Sequence, residues 1–215
     1  MKERGILFNA PMVRATREGR KTQTRRVVKP QPDFLGSMVD AKTPFKSLES
    51  GLHVQIICPF GQPGDRLWVR ETWKPSISHS CAMDACDCED MWVEYPSGGD
   101  GRFFSGTQIS DDWTFPRTFK KGNCIPSIHM PRWANRILLE VVSVRVERLN
   151  DISEADAGAE GCPWSDGAPD EHGIPTQLVV DAKDEFAHLW RNINGAGSWD
   201  TNPWVWVIDF ELVKP

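Results

Sequence analysis

A lysine and a threonine near the start of the chain are the residues whose types and spacing could support chemistry. Lys21 and Thr24 lie in the basic run 18–26, together with three arginines. A neutral lysine amine can accept the proton of a threonine hydroxyl, which then acts as a nucleophile. Arginines in the same run suit phosphate or planar groups, so a solvated, anion-binding turn is the alternative interpretation.

The catalytic interpretation makes two demands on Lys21. At the ordinary lysine pKa only about 0.04% of the amine is neutral at pH 7, so the pKa must fall to about 8.4 or lower. The neighbouring arginines favour that change because like charges disfavour the ammonium form. Positions 21 and 24 point to opposite faces of a regular strand. We therefore expect Lys21 in a turn after Gly19, or beside a bulge.

The elements that must position these residues are mostly strands. Segments 66–73, 137–146 and 204–212 have the composition or period-two pattern of strands, with a possible bend near Ser143. Short helices are predicted from Asn9 to Gly19, from Ser153 to Glu160 and over about 181–193. We expect a single mainly β domain of the α+β class over 1–215, with a connection at 27–62, a loop-rich insertion at about 76–125 and a loop at about 162–178.

Charge is distributed unevenly along the chain. The formal net charge is −5, but residues 1–30 carry nine Lys or Arg residues against two Glu residues, a local balance of +7. Contact with a polyanion would therefore be local. The short apolar stretch near the start predicts neither a signal peptide nor a membrane span, so we expect a cytoplasmic protein without a membrane partner.

Cysteine spacing suggests a metal site only weakly. Cys81, Cys86 and Cys88 lie near His79, but the spacing departs from common zinc pairs and no second pair follows. In a reducing compartment we expect free thiols, and we expect no metal or cofactor.

Four ordered motifs resemble one known family. The segments 19–25, 64–73, 128–133 and 152–161 together resemble the ASCH-domain family, and most closely its phage and prophage versions. The resemblance implies a PUA-like small β-barrel with short flanking helices. It also implies a cleft that binds RNA or a modified nucleoside.

The resemblance also implies roles for three residues. A small bacterial branch of the family is an amidohydrolase that removes the acetyl group from N4-acetylcytidine. Matching motif to motif places its working group on Lys21, Thr24 and Glu160. This chain is about twice as long as that branch, so the first hypothesis is a noncatalytic module that binds RNA or a modified nucleoside in a basic cleft, with the amidohydrolase as the alternative. A third is a phage accessory factor that contacts an unidentified protein through its acidic insertion.

Further residues are candidates for lining the cleft because arginine and indole groups suit phosphate contacts and base stacking. Trp68 and Trp133 have an apolar strand context that favours the core instead, and His129 has a structural alternative. For Arg70 and Glu71, which are adjacent in sequence, a mutual surface ion pair is the alternative. The binding candidates are Asn9, Arg20, Arg25, Arg26, Arg70, Glu71, Trp73 and Arg132.

Overall fold

Strands make up most of the secondary structure. The computed structural model describes residues 1–36, 42–77, 90–114, 123–162 and 181–213. The described strands are β1 (Glu3–Leu7), β2 (Gln23–Val27), β3 (Phe34–Leu35), β4 (Pro44–Ser47), β5 (His53–Gln55), β6 (Arg66–Arg70), β7 (Lys74–Ile77), β8 (Met91–Glu94), β9 (Arg102–Phe104), β10 (Leu138–Arg148) and β11 (Trp204–Leu212). The described α-helices are α1 (Ala10–Arg17), α2 (Glu154–Ala159) and α3 (Ala182–Asn194). The fold is therefore mixed α+β.

The chain forms two compact units, each built from separate stretches of sequence. The first comprises residues 1–14, 66–139 and 212–215, and the second comprises residues 15–65 and 140–211. The predicted single domain over 1–215 stays a prediction.

The first unit contains a parallel strand pair and a small antiparallel sheet. β1 pairs with β6, and the buried residues Ile6 and Val69 lie opposite each other. β7, β8 and β9 form the antiparallel sheet in that order. Its buried side chains join an aromatic core around Trp73, with Trp113 and Trp133 packed against it. The core interpretation of Trp133 is thus confirmed.

The second unit places β10, β11 and β2 next to one another in that order, with β2 the last strand of its sheet. β2 runs antiparallel to β11, and Arg25 lies opposite Val207. α2 and α3 contribute to a core that includes Ala157, Phe186 and Trp190. β3, β4 and β5 form a separate antiparallel sheet.

The three predicted helices are confirmed. α1 ends just before Gly19, and α2 begins after Ser153, whose side chain accepts a hydrogen bond from the amide of Asp156. α3 begins after Asp181, which caps it through the amide of Lys183. Short polar capping residues satisfy otherwise unpaired amides at a helix start, which explains why sequence alone located these ends.

Other predictions need correction. The predicted strand at 66–73 ends at Arg70 as β6, and Trp73 forms only an isolated bridge with Ile125. The predicted connection at 27–62 contains the three-stranded sheet of β3 to β5. Strands of two to four residues are too short to produce a sustained period, which is why the sequence pattern missed them. The insertion at 76–125 contains β8 and β9, while residues 78–89 and 115–122 and most of the loop at 162–178 lie outside the described residues.

The sheets in the described ranges do not close into a barrel. The predicted PUA-like β-barrel is therefore not confirmed, while the coarser mixed and strand-rich class is. Within the described residues, no helix combines the length and apolar character needed to cross a membrane.

Candidate functional site

A buried ion pair between Lys21 and Glu160 is the centre of the candidate site. The Nζ atom of Lys21 lies 2.6 Å from Oε2 of Glu160, and the two side chains are 0% and 2% exposed. The same amine donates to the backbone carbonyls of Gln23 at 2.7 Å and of Glu160 at 2.9 Å. These acceptors match the three N–H donors of an ammonium group. The structure thus joins two of the three residues named by the family resemblance.

Local backbone geometry explains how Lys21 reaches Glu160. Gly19, just after α1, has a left-handed φ of 76°, and the amide of Lys21 then donates to the carbonyl of Ala15 at 3.0 Å. Lys21 pairs with Glu160 in an isolated antiparallel bridge, before β2 begins at Gln23. Lys21 therefore precedes the strand, in the turn segment that the sequence analysis required.

A glycine directly after Glu160 permits the close approach of these segments. Gly161 has a φ of 89°. A Cβ atom at this position would lie 2.8 Å from Cβ of Ala15 and 3.1 Å from Cβ of Lys21. Only glycine adopts this conformation at little cost and also leaves room for the lysine stem.

Burial lowers the pKa of Lys21 because desolvation disfavours the ammonium form. The charge of Glu160 and its hydrogen bond oppose this effect, while the charge of Arg26 adds to the lowering. Burial also raises the pKa of the nearby Cys162 thiol to about 12, so this thiol stays protonated at neutral pH. The pKa of Lys21 therefore changes in the direction that a general base needs.

Thr24 supplies a buried hydroxyl without a described partner. The residue is 0% exposed, and Oγ1 accepts or donates no hydrogen bond among the described residues. Burying such a group without a partner costs about 1–3 kcal/mol, whereas an apolar group of the same shape avoids that cost. Fold stability therefore does not explain the hydroxyl, although the structure records no hydrogen bond between it and Lys21.

The amine of Lys21 lies at the edge of β2 that faces away from β11, where the segment of Glu160 covers it. The amide of Phe210 donates to the carbonyl of Thr22, so the next carbonyl, that of Gln23, points away from β11. Because β2 is the last strand of its sheet, an amine bound to the Gln23 carbonyl lies at that edge. Thr24 points to the face of β2 opposite Gln23 and Arg25. Both Thr24 and the amine are buried, at 0% and 1% residue exposure.

Arg25 is buried in a group of carboxylates. Its guanidinium is 0% exposed and lies 3.5 Å from Glu160, 3.3 Å from Asp156 and 3.5 Å from Glu147. It also donates to the side-chain carbonyl of Gln23. Arg25 was predicted to bind phosphate, but three carboxylates already contact its guanidinium.

The carboxylates around Arg25 belong to a wider polar network. Gln23 donates to Asp156 at 3.1 Å and to Asp209 at 2.6 Å. Arg145 lies 2.6 Å from both Glu147 and Asp209. Burial opposes ionisation of Asp156, but the hydrogen bond from Gln23 and the charges of Arg25 and Arg145 together lower its pKa. Asp156 therefore stays ionised at neutral pH.

The other two arginines of the basic run are also engaged. Arg20 is exposed, donates to Glu18 at 2.9 Å and reaches the carbonyl of Gly161 at 3.2 Å. Arg26 is half-buried and donates to the carbonyl of Arg25 at 3.1 Å.

Glu71 forms a second buried ion pair, in the first unit. Its carboxylate accepts hydrogen bonds from Nε of Arg136 at 2.8 Å and from Nη2 of the same residue at 2.9 Å. Ser97 also donates to Glu71, and the Arg136 guanidinium lies 4.0 Å from the ring centre of Tyr95. The proposed surface pair of Arg70 with Glu71 is therefore wrong, because the buried carboxylate pairs with a more distant arginine.

The remaining candidates of the first unit have structural contacts. Asn9 accepts the amide of Met12 at 3.0 Å and so caps α1. Arg70 donates to the carbonyl of Ile128 and lies 5.3 Å from the ring centre of Trp68.

Trp73 and Arg132 also have structural surroundings. Trp73 is 0% exposed in the aromatic core, and Arg132 pairs with Glu3 on the surface at 2.9 Å. Of the predicted site residues, the structure gathers those of the basic run with Glu160, all in the second unit. Asn9, Arg70, Glu71, Trp73 and Arg132 belong to the first.

Sequence analysis missed the network around Arg25, although a signal was present. One face of β10 carries polar side chains at every second position, namely Ser143, Arg145 and Glu147. In β11, Asp209 interrupts an otherwise apolar pattern. Polar residues that share one face of neighbouring strands predict a polar cluster there. Arg136 carried no comparable signal.

The described residues contain no group of three or more His, Cys, Asp or Glu side chains arranged to hold a metal ion. The weak zinc candidate of Cys81, Cys86, Cys88 and His79 lies outside the described residues. Comparisons with protein-family models, with curated protein sequences and with solved structures give no match to this chain.

Proposed function

We propose that this chain is an ASCH-type amidohydrolase with a PUA-like fold, which removes an acyl group from the exocyclic amine of a cytosine nucleoside. The observation that carries the proposal is the desolvated Lys21–Glu160 pair at the edge of β2, together with the buried, unpartnered hydroxyl of Thr24 on the same strand. The substrate class comes from the motif resemblance, and the geometry supports the reaction type.

In the proposed reaction, Oγ1 of Thr24 attacks the amide carbonyl carbon while neutral Lys21 accepts the hydroxyl proton. The tetrahedral intermediate then releases the cytosine amine, which receives that proton from Lys21. The acyl group remains on Thr24 as an ester. Water attacks the ester, gives a proton to Lys21 and releases the carboxylic acid, and the proton returns to Thr24.

Glu160 orients the amine through a hydrogen bond of 2.6 Å to Oε2. Thr24 is fully buried, so a substrate reaches its hydroxyl only after neighbouring side chains move.

The test is hydrolysis of N4-acetylcytidine by purified protein, with cytidine release followed by chromatography. We expect Lys21→Met and Thr24→Val each to lower kcat/KM by about 10²–10⁴-fold, because each removes a group that acts in the transition state. Lys46→Met is the matched control, since Lys46 forms a 2.6 Å pair with Asp33 that is 40% and 38% exposed. Full turnover in Lys21→Met would exclude the lysine role.

The second candidate is binding of a modified nucleoside without turnover. It is favoured by one observation, that Oγ1 of Thr24 makes no hydrogen bond to Lys21. In that case N4-acetylcytidine raises the melting temperature of the protein, but no cytidine appears. Binding of RNA through the basic run draws less support, because the Arg25 guanidinium already contacts three carboxylates.

A further inference from the structure

The carboxylate of Glu160 lies between two cations, one at each oxygen. Oε2 accepts the amine of Lys21 at 2.6 Å, and Oε1 lies 3.5 Å from Nη1 of Arg25. The side chains of all three residues are at most 2% exposed. One buried carboxylate therefore serves two positive groups, and only one of them can lose its proton at a working pH.

This arrangement biases the charge of Lys21. A guanidinium stays protonated, so the positive charge of Arg25 always partly neutralises the negative charge of Glu160. Glu160 therefore stabilises the ammonium form of Lys21 less, and the nearby positive charge of Arg25 disfavours that form further. The charge of Arg26 also lowers the pKa of Lys21, whereas the neighbouring Cys162 acts in the opposite direction.

Two further carboxylates partly offset the charge of Arg25. Glu147 and Asp156 approach Nη2, but their side chains are 24% and 29% exposed. Solvent screens these two more strongly than it screens Glu160, which is 2% exposed. The Nη1 side of the guanidinium, which faces Glu160 and also donates to the neutral side chain of Gln23, is consequently the less compensated side.

We infer that Arg25 is a positioning residue, which fixes the Glu160 carboxylate and favours the neutral amine of Lys21, rather than a residue that binds phosphate. The inference deepens the proposed function, because the neutral amine is the base in the proposed reaction. Arg25, the buried arginine of the basic run, is thereby part of the site itself.

The test is an NMR titration of lysine side chains labelled with ¹³C and ¹⁵N in the full-length protein, with Lys21→Met used to assign the Lys21 signal. In Arg25→Gln we expect the apparent pKa of Lys21 to rise by about one, which lowers the neutral fraction at pH 7 about tenfold. In Arg25→Lys, which keeps the charge, we expect a value close to wild type. An unchanged Lys21 titration in Arg25→Gln would overturn the inference.

Glu147→Gln provides an independent measurement if Arg25→Gln does not fold. It removes a partly exposed countercharge of Arg25, so we expect the apparent pKa of Lys21 to fall. A rise in this variant would contradict the inference. The opposite directions expected for the two variants distinguish a charge effect from general loosening of the site.

The same variants separate this inference from the proposed function. The titration reports the charge of Lys21 whether or not the protein hydrolyses N4-acetylcytidine. If the protein does not hydrolyse it but the pKa of Lys21 rises in Arg25→Gln, only the proposed function is rejected. If turnover occurs, the acidic limb of the pH profile of kcat/KM should move to higher pH in Arg25→Gln. A lower rate with an unmoved limb would show a merely structural role for Arg25.

Discussion

Two buried ion pairs, one in each unit, differ in the cation and in how completely the surrounding polar groups are paired. In the first unit, Arg136 binds Glu71 through two nitrogens, and Ser97 adds a third hydrogen bond to the carboxylate. In the second unit, Lys21 binds Glu160, and the buried hydroxyl of Thr24, three positions after Lys21, has no described partner.

The difference separates a structural ion pair from a candidate reactive one. Arginine keeps its proton at any working pH and matches a carboxylate with two parallel donors, so Arg136 suits a fixed connection. The pKa of a buried lysine changes readily, so Lys21 can exchange a proton. In the Glu71 group, no buried side-chain polar atom of Glu71, Arg136, Ser97 or Tyr95 lacks a partner. Chemistry is therefore expected where pairing is incomplete.

The largest expected effect is on stability, in the first unit. Glu71→Ala leaves the buried Arg136 without its carboxylate, and we expect the free energy of unfolding to fall by about 3–5 kcal/mol. Glu3→Ala is the matched control, because it breaks an exposed pair with Arg132 and should cost about 0–1 kcal/mol. Denaturant unfolding followed by circular dichroism measures both, and equal losses would contradict the contrast between buried and exposed pairs.

Replacing both partners should recover most of that loss. In Glu71→Leu/Arg136→Met no buried charge remains unpaired, so we expect a free energy of unfolding within about 2 kcal/mol of wild type. The same denaturant titration gives the value. A double variant as unstable as Glu71→Ala would mean that the two-nitrogen geometry itself is required, and would weaken the view of this pair as a replaceable connection.

Two buried hydroxyls, one in each unit, should respond in opposite directions. Ser97→Ala removes a hydrogen bond to the charged Glu71, and we expect a loss of about 1.5–3 kcal/mol. Thr24→Val removes a hydroxyl without a described partner and keeps the branched shape that suits a strand, so we expect a gain of about 1 kcal/mol. Thermal and denaturant unfolding compare the two variants, and a clear destabilisation by Thr24→Val would indicate an important bond to Thr24.

The smallest expected effect is a pH dependence that only the Lys21 pair should show. The pKa of Lys21 is lowered in the folded state, so between that value and about 10.4 the unfolded chain binds more protons. Stability from Lys21 therefore rises with pH in this window, by at most about 1.4 kcal/mol per pH unit. Unfolding of wild type and Lys21→Met from pH 7 to 10 measures the difference, and identical slopes would contradict a lowered pKa.

Much of the local structure followed from sequence because short-range signals determine it. Ser153 and Asp181 cap the helices that the pattern predicted, and the turn at Gly19 places Lys21 ahead of β2. The short strands β3 to β5 and β8 to β9 were missed because they depend on pairing partners rather than on a periodic pattern of their own.

The candidate site was predicted only in part, for the same physical reason. Spacing and motif resemblance named Lys21, Thr24 and Glu160, but the partner of each charged side chain depends on which strands become neighbours. Arg25 was expected to face phosphate and instead contacts Glu147, Asp156 and Glu160. Glu71 pairs with Arg136, which lies 65 positions further along the chain.

The distance in sequence between Lys21 and Glu160 has a consequence for folding. The two residues are 139 positions apart, whereas Glu71 and Arg136 are 65 apart. Closing the longer loop costs more chain entropy, and no local element can form the contact before most of the second unit has been synthesised. Until then Lys21 remains hydrated and protonated, as in any free peptide. The altered acidity of this amine is therefore acquired in the same step that brings the two sequence stretches of the second unit together.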